Sequence, residues 1–357
     1  MGRNRPTLDA LTPDLLSRRL HSELGFRLAA VSELDPGRPH NNRLLHLVAA
    51  DGRQAVVKHY FADDRQRLDR EYETLISLRT RRMTEVPTPL LRDDAHQFAV
   101  YSFEPGTIQA GTALTAPTVR AIAHFAAQLY HIHPDPGVTN LRTAVSATFS
   151  LAQQVAGIRR RLAEFHELAS GPQAGSLVRA LRCEVAIEDE IEGLIRRALA
   201  GRSWAAIEHS VPAAHWSLTS GDLAPHNILV RAGGGICVLD FEYSGWDDPA
   251  ILLADFLSAD SARGLSDACR RAFVDTFRAL TDPSPDAWQH ILGVRSLMEV
   301  SWAVLHLSLV VPRRLAAKQF ADPELDTTAY VAEQIDKFRQ RLAGAAAVID
   351  DCQADRL

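Results

Sequence analysis

Apolar residues recur at helical spacing over residues 8–24, and the pattern then changes to alternation over 26–34, 43–50, 53–60, 88–92 and 97–103. Alternation over runs of this length predicts strands with one half-buried face. Asp51-Gly52 is a tight-turn pair between the second and third runs, so these two are expected to form a hairpin. Residues 63–82 interrupt the strands with a helical period that places Leu68, Tyr72, Leu75, Ile76 and Leu78 on one side. The first 103 residues therefore read as a five-stranded antiparallel sheet, with the 8–24 helix outside it and the 63–82 helix inserted between strands.

Beyond Gly106 the period is helical almost throughout: residues 117–133, two long segments within 141–200 broken at Ser170-Gly171-Pro172, then 250–259, 263–281, 285–311 and 324–350. The exception is a pair of short apolar runs, 227–231 and 236–239, joined by Gly233-Gly234-Gly235, which reads as a hairpin. Asp222 and Asn227 precede this hairpin and Asp240 follows it, so three oxygen-bearing side chains meet at one end. Such a set suits a hard cation such as Mg²⁺ together with phosphate oxygens. Lys58 closes the A-V-V-K run at the end of a half-buried strand, where a phosphate or a carboxylate is its natural partner.

Composition narrows the picture further. With 357 residues, 46% hydrophobic and 23% charged, the chain is an ordinary globular sequence of one large or two linked domains. The net charge is -5 and its acidic excess lies in residues 107–357, which gives no footprint for nucleic acid and is compatible with a cationic small substrate. Solvated helix faces would produce the same balance. No stretch approaches eighteen apolar residues, and the expectation is a cytoplasmic, soluble protein without a membrane partner. Cys183, Cys237, Cys269 and Cys352 lack metal-type spacing and read as reduced thiols.

G-D-L-A-P-H-N at residues 221–227, followed by V-L-D-F-E at 238–242, resembles the catalytic loop and metal-binding segment of aminoglycoside phosphotransferases and of choline, homoserine and fructosamine kinases. The resemblance implies a protein-kinase-like α+β fold in two lobes: a small antiparallel-sheet lobe over residues 1–106 and a larger helical lobe over 107–357 with the catalytic loop and the acceptor site. It further implies that Asp222 acts on the proton of an acceptor hydroxyl and that Asn227 and Asp240 hold Mg²⁺. Lys58 would hold the nucleotide phosphates, oriented by Glu71, with Glu73 as the nearest rival. Gly37 and Asn42 fall in the loop that covers the phosphates, although an ordinary hairpin loop explains that stretch equally well. Tyr101 would lie behind the base, with Ser102 and Phe103 presenting backbone to it. Backbone recognition does not separate ATP, the expected donor, from GTP.

The implied activity is transfer of the γ-phosphate of a nucleoside triphosphate to a hydroxyl of a small molecule resembling a sugar, an aminoglycoside or an amino alcohol. A silent nucleotide-binding regulator on the same fold and adenylyl transfer are the alternatives. Several positions depart from the family or stay open. Ser220 stands where the family usually has a bracing His, and is expected to keep one hydrogen bond. The family's Asp three residues past the Pro of the G-D-P turn is replaced by Leu252, so a loop-bracing role is not transferred to Asp255. Glu242 lies near the expected metal. Arg159-Arg160-Arg161 could grip an acidic substrate but reads better as a solvated face. His131 and His133 read as helix-cap residues, and Glu299 is the one charged residue of interest in a largely apolar helix.

Overall fold

The computed structural model describes residues 11–34, 42–61, 63–135, 141–170 and 186–356. Helix α1 (Pro13–Leu24) begins where the Thr12 hydroxyl accepts the Leu15 amide at 3.2 Å, with proline in the first turn, and ends at Gly25 in a left-handed conformation. Strands β1 (Leu28–Glu33), β2 (Arg43–Ala49) and β3 (Gln54–His59), helix α2 (Arg67–Thr80), and strands β4 (Pro89–Asp93) and β5 (Phe98–Ser102) follow in that order. The five strands form one antiparallel sheet in the order β1-β2-β3-β5-β4, as the alternation predicts.

Alternation decides what each face of this sheet does. Leu47, Val57, Phe98 and Val100 turn to one side and form a core with Leu16 and Leu20 of α1. The next residue along each of the two central strands faces the other way. Ala99 and Tyr101 join Leu68, Leu75 and Leu78 of α2 in the main core, and Lys58, paired in register with Ala99, shares that inner side.

The rest of the chain is mainly helical: β6 (Thr107–Ile108), α3 (Ala116–Tyr130), α4 (Leu151–Ser170), α5 (Ala186–Leu199), α6 (Trp204–Glu208), β7 (Ser217–Thr219), β8 (Ile228–Val230), β9 (Ile236–Val238), β10 (Gly245–Asp247), α7 (Ile251–Ser258), α8 (Asp267–Thr281), α9 (Pro285–Leu309), α10 (Pro312–Ala321) and α11 (Thr327–Gln353). Helix α9 is apolar on nearly every side and packs against α4, α7 and α11, as such a helix must. The β8–β9 hairpin forms as expected, with Gly233 and Gly234 at positive φ in its turn. Among the described residues no single helix is long and apolar enough to cross a membrane.

The structure also departs from the pattern. Residues 310–323 contain a separate helix, α10, because Pro312 ends one helix and is well suited to begin the next. Residues 141–150 are not helical, and α4 starts only where the Ser150 hydroxyl accepts the Gln153 amide at 3.1 Å. Strands β6, β7 and β10 are two or three residues long, too short for a period to register. The expected break at Ser170-Gly171-Pro172 falls largely outside the described residues.

Buried ion pairs lock the helical lobe. Arg341 of α11 reaches Asp260 through Nε at 2.8 Å and Nη2 at 2.6 Å, and its Nη1 lies 3.5 Å from Glu299, which pairs with Arg295 at 2.6 Å. Glu299 is therefore structural. His306 of α9 brings Nε2 to 3.2 Å from the other Asp260 oxygen. Burial by itself would raise the Asp260 carboxyl, but the approach of His306 and the Arg341 guanidinium outweigh it and hold the group well below the usual carboxylate range. A depressed pKa contributes stability that is present above the unfolded value and lost as pH falls below it. The gap in urea midpoint between the wild type and Asp260→Asn should therefore be constant above about pH 5 and narrow below about pH 4. A gap that stays the same across that range would show that Asp260 contributes no charge-dependent stability.

Candidate active site

The loop over residues 220–227 leaves β7 through Gly221, whose φ of +75° is one that other residues rarely adopt. A Cβ there would lie 2.6 Å from the backbone carbonyl of Tyr243, so glycine is also required by close approach. Two residues on, the Leu223 amide donates to Asp255 Oδ2 at 2.8 Å. Asp255 of α7 thus braces the loop, contrary to the expectation that Leu252 had displaced this role: one further helical turn returns the carboxylate to the same side. Burial pushes the Asp255 carboxyl up to about 8, the Asp222 charge adds to the rise, and the Leu223 amide opposes it. Ser220 does not brace the loop. Its hydroxyl is buried with no hydrogen-bond partner among the described residues, so the expected bond is absent.

Asp222 and Asn227 face each other across the turn. Asn227 Nδ2 donates to the Asp222 carboxylate at 2.9 Å and to its backbone carbonyl at 3.0 Å, which fixes the amide so that its oxygen is the ligand-type atom. His226 Nε2 lies 3.3 Å from the same carboxylate, and its Nδ1 is 2.8 Å from Ser261 Oγ. The Leu239 amide donates to the Asn227 carbonyl at 2.8 Å, and the next residue, Asp240, adopts a φ of +66°. A left-handed aspartate costs about 1 kcal/mol or more, a strain typical of functional positions.

Lys58 ties the two lobes together at this point. Its Nζ lies 2.6 Å from Glu71 Oε2, 2.5 Å from Asp240 Oδ1 and 3.6 Å from Glu242 Oε2. Burial alone would favour the neutral amine, but the three carboxylates, Asp240 first, hold the ammonium charged and raise its pKa well above the usual lysine value. Glu71 is pushed up to about 7 by burial, with Asp240 and Glu242 adding repulsion against the pull of Lys58. Glu242 is fully buried and also accepts from Arg67 Nη1 and Asn42 Nδ2. Oxygens of Glu71, Asp240 and Glu242 lie within 4.8 Å of one another. Within the Lys58 cluster two cations, Lys58 and Arg67, face three carboxylates, Glu71, Asp240 and Glu242, and an all-oxygen donor set with excess negative charge fits Mg²⁺.

The sequence-predicted residues are thus largely brought together. Lys58, Glu71, Asp222, Asn227 and Asp240 line one cavity of about 1180 Å³, as do Asn42, Ser102 and Phe103. Glu73 instead points to Arg92 at 3.0 Å on the surface, which resolves the rivalry in favour of Glu71. Asn42 is engaged at both ends of its amide, because its Oδ1 also accepts the Phe61 amide at 3.1 Å. At the linker, the Ser102 amide donates to the Thr88 carbonyl at 2.9 Å. That N–H is therefore spent within the protein. Gly37 lies outside the described residues.

Arg67 and His226 escaped sequence reasoning, and Asp255 was weighed there without its bracing role. Arg67 stands one helical turn before Glu71 on the same face, a spacing that could have flagged it. His131 and His133 bond the carbonyls of Leu280 and Trp216 at 3.1 and 2.9 Å, in keeping with structural roles. The arginine run divides: Arg159 forms a two-pronged contact with Glu192 at 2.7 Å on the surface, whereas Arg160 and Arg161 line the cavity. Arg159 and Arg160 are exposed, as a solvated face predicts, and half-buried Arg161 departs from it.

No curated protein matches the chain by sequence. Among solved structures it is similar to spectinomycin phosphotransferase in complex with ADP and spectinomycin, with a TM-score of 0.67 at 12% identity over 96% of this chain and 99% of that one. A choline kinase from Streptococcus pneumoniae aligns with a TM-score of 0.57 at 16% identity, covering 93% and 98% of the two chains. A macrolide 2'-phosphotransferase from Brachybacterium faecium aligns at 0.53 with 19% identity, over 88% and 98%. At such identities the likeness establishes the fold, which is the two-lobed kinase-like one. The model of the phosphotransferase enzyme family matches residues 36–289, well over half of the sequence and all of the site just described, and the chain belongs to that family.

Proposed function

We propose that the chain transfers the γ-phosphoryl group of a nucleoside triphosphate, ATP in the first instance, to a hydroxyl of a small acceptor. In this reading residues 1–106 form the nucleotide lobe and 107–357 the acceptor lobe. The observation that carries it is the meeting, on one cavity, of the Lys58–Glu71 pair with Asp222, Asn227 and Asp240. A chain that had kept the fold and lost the chemistry would be expected to have lost one of these groups.

Each residue then has a task. Asp222, with one oxygen held by Asn227, would orient the acceptor hydroxyl and take its proton as the new oxygen–phosphorus bond forms and the bond to the departing diphosphate breaks. Lys58 would contact the phosphates nearest the nucleoside, with Glu71 fixing its ammonium. Asn227 and Asp240 would hold Mg²⁺, which when bound neutralises phosphate oxygens. Asn42 and Arg67 hold Glu242 in place beneath these groups, and so act as positioning residues. Tyr101, buried and hydrogen-bonded to the Tyr60 hydroxyl at 2.7 Å, closes the back of the cavity where the base would lie.

The defining experiment is incubation with ATP, and separately GTP, and a panel of hydroxylated metabolites and antibiotics, with product mass as the readout. A product heavier by a phosphoryl group supports the proposal, and one heavier by a nucleotidyl group replaces it with adenylyl transfer. Asp222→Asn keeps the hydrogen-bonding shape but cannot take the proton, so turnover should fall about 10²-fold or more while nucleotide affinity changes little. Full turnover in that variant would remove Asp222 from the role of base.

Glu71→Gln tests the other end of the site. The neutral amide leaves Lys58 drawn towards Asp240 and Glu242 alone, so nucleotide dissociation constants should rise by about tenfold, with acceptor KM little changed. Titration of a fluorescent ATP analogue measures this directly. An unchanged constant would mean that Lys58 does not depend on Glu71 for its position.

A further inference from the structure

The cavity continues past Asp222 into a wall built by α4, α10 and the start of α2, and that wall is basic. Arg161 of α4, Arg314 of α10 and Arg65, just before α2, are half-buried and line it together. Arg161 and Arg314 make no side-chain hydrogen bond or ion pair among the described residues. Arg65 is held more loosely than a paired guanidinium, lying over the Tyr243 ring at 5.6 Å, 3.5 Å from its hydroxyl and 3.7 Å from Asp63, which is itself paired with Arg67 at 3.1 Å. The acids nearby are spent or remote. Glu333 pairs with Lys337 at 2.6 Å, Asp64 pairs with Arg313 at 2.7 Å, and Glu164 is exposed, close enough to attract Arg161 and Arg314 without forming an ion pair with either.

This arrangement is costly for the protein alone. Burial pushes the Arg314 guanidinium down to about 10, and the charges of Arg65 and Arg161 press it in the same direction. Arg161 is likewise lowered, by burial first and then by Arg160. Partly desolvated like charges are retained where a ligand supplies the missing countercharge, and a guanidinium fork matches the two oxygens of a carboxylate or a phosphate. The acidic excess of residues 107–357 is thus not what this wall presents, and an electropositive wall disfavours the cationic acceptor with which the overall charge was compatible.

We propose that the acceptor bears an anionic group, a carboxylate or a phosphate, gripped by Arg65, Arg161 and Arg314 while its hydroxyl is presented to Asp222. The proposal rests on the phosphotransferase reading above. It assigns Arg161 and Arg314 to substrate specificity and leaves the transfer step to Asp222.

The test begins with the nucleotide site filled by Mg²⁺ and a non-hydrolysable ATP analogue, so that a free anion must bind elsewhere. Inorganic phosphate, and in a second arm malonate, is titrated calorimetrically into the wild type, into Arg161→Met/Arg314→Met and into Arg159→Met. The expected result is anion binding by the wild type and by Arg159→Met, weakened at least about tenfold in the double variant, and the tighter probe names the anion. Arg161→Lys/Arg314→Lys, which keeps charge but loses the fork, should fall between. Without anion, the melting temperature of the double methionine variant should equal or exceed that of the wild type, because mutual repulsion has been removed. No anion binding by the wild type, unchanged binding in the double variant, or a lowered melting temperature would overturn the proposal. Transfer to a cationic acceptor with kcat/KM unaffected in the double variant would overturn it while leaving the kinase reading intact. Anion binding at the arginines without transfer to any acceptor would instead retain the site and sink the kinase reading.

Discussion

A buried lysine ammonium with three carboxylates around it is the constraint to which the rest of the site conforms. Lys58 is 6% exposed, and the cost of desolvating its charge is offset only because Glu71, Asp240 and Glu242 all lie within 3.6 Å. Lys58 and its partners come from three places in the chain: a strand end, a helix and the segment after a hairpin. The ion cluster therefore fixes the sheet, α2 and the β8–β9 hairpin relative to one another at the cavity floor. Glu242 is in turn held by Arg67 and Asn42, so the cluster is compensated on its far side as well.

The loop over residues 220–227 is held by a different kind of force. It needs Gly221 because the Tyr243 backbone passes too close for a side chain, and it needs Asp255 because the Leu223 amide is buried and must have an acceptor. The Ser220 hydroxyl has no hydrogen-bond partner among the described residues and so does not brace the loop. The Asp255 carboxyl is raised first by its burial and then by the nearby charge of Asp222 within the same loop assembly.

The cavity as a whole has two electrostatic ends. Carboxylates dominate near Lys58, where cations are expected, and guanidinium groups dominate on the wall between α4 and α10, where countercharge is missing. A net charge of -5 averages over this division and conceals it. One run of three consecutive arginines illustrates why: on α4, successive residues point about 100° apart, so Arg159 meets Glu192 on the surface while Arg161 turns to the cavity.

The sequence by itself determined the elements with a long, regular period and the residues with a distinctive local spacing. The five strands, the helices α2, α3, α8, α9 and α11 and the hairpin were legible because periodicity is a local property of a chain, and the set Lys58, Glu71, Asp222, Asn227 and Asp240 was named through the family resemblance that G-D-L-A-P-H-N and V-L-D-F-E carry. Strands β6, β7 and β10 were not, since two or three residues cannot display a period and owe their extension to partners distant in sequence. Tertiary structure alone decided that Asp255 braces the loop, that Ser102 spends its amide on Thr88, that Asn42 serves Glu242, and that Arg65, Arg161 and Arg314 share one wall. Each of these depends on which groups meet across separations of about fourteen to about two hundred and fifty residues. Burial and charge compensation set that outcome only once the whole chain has packed.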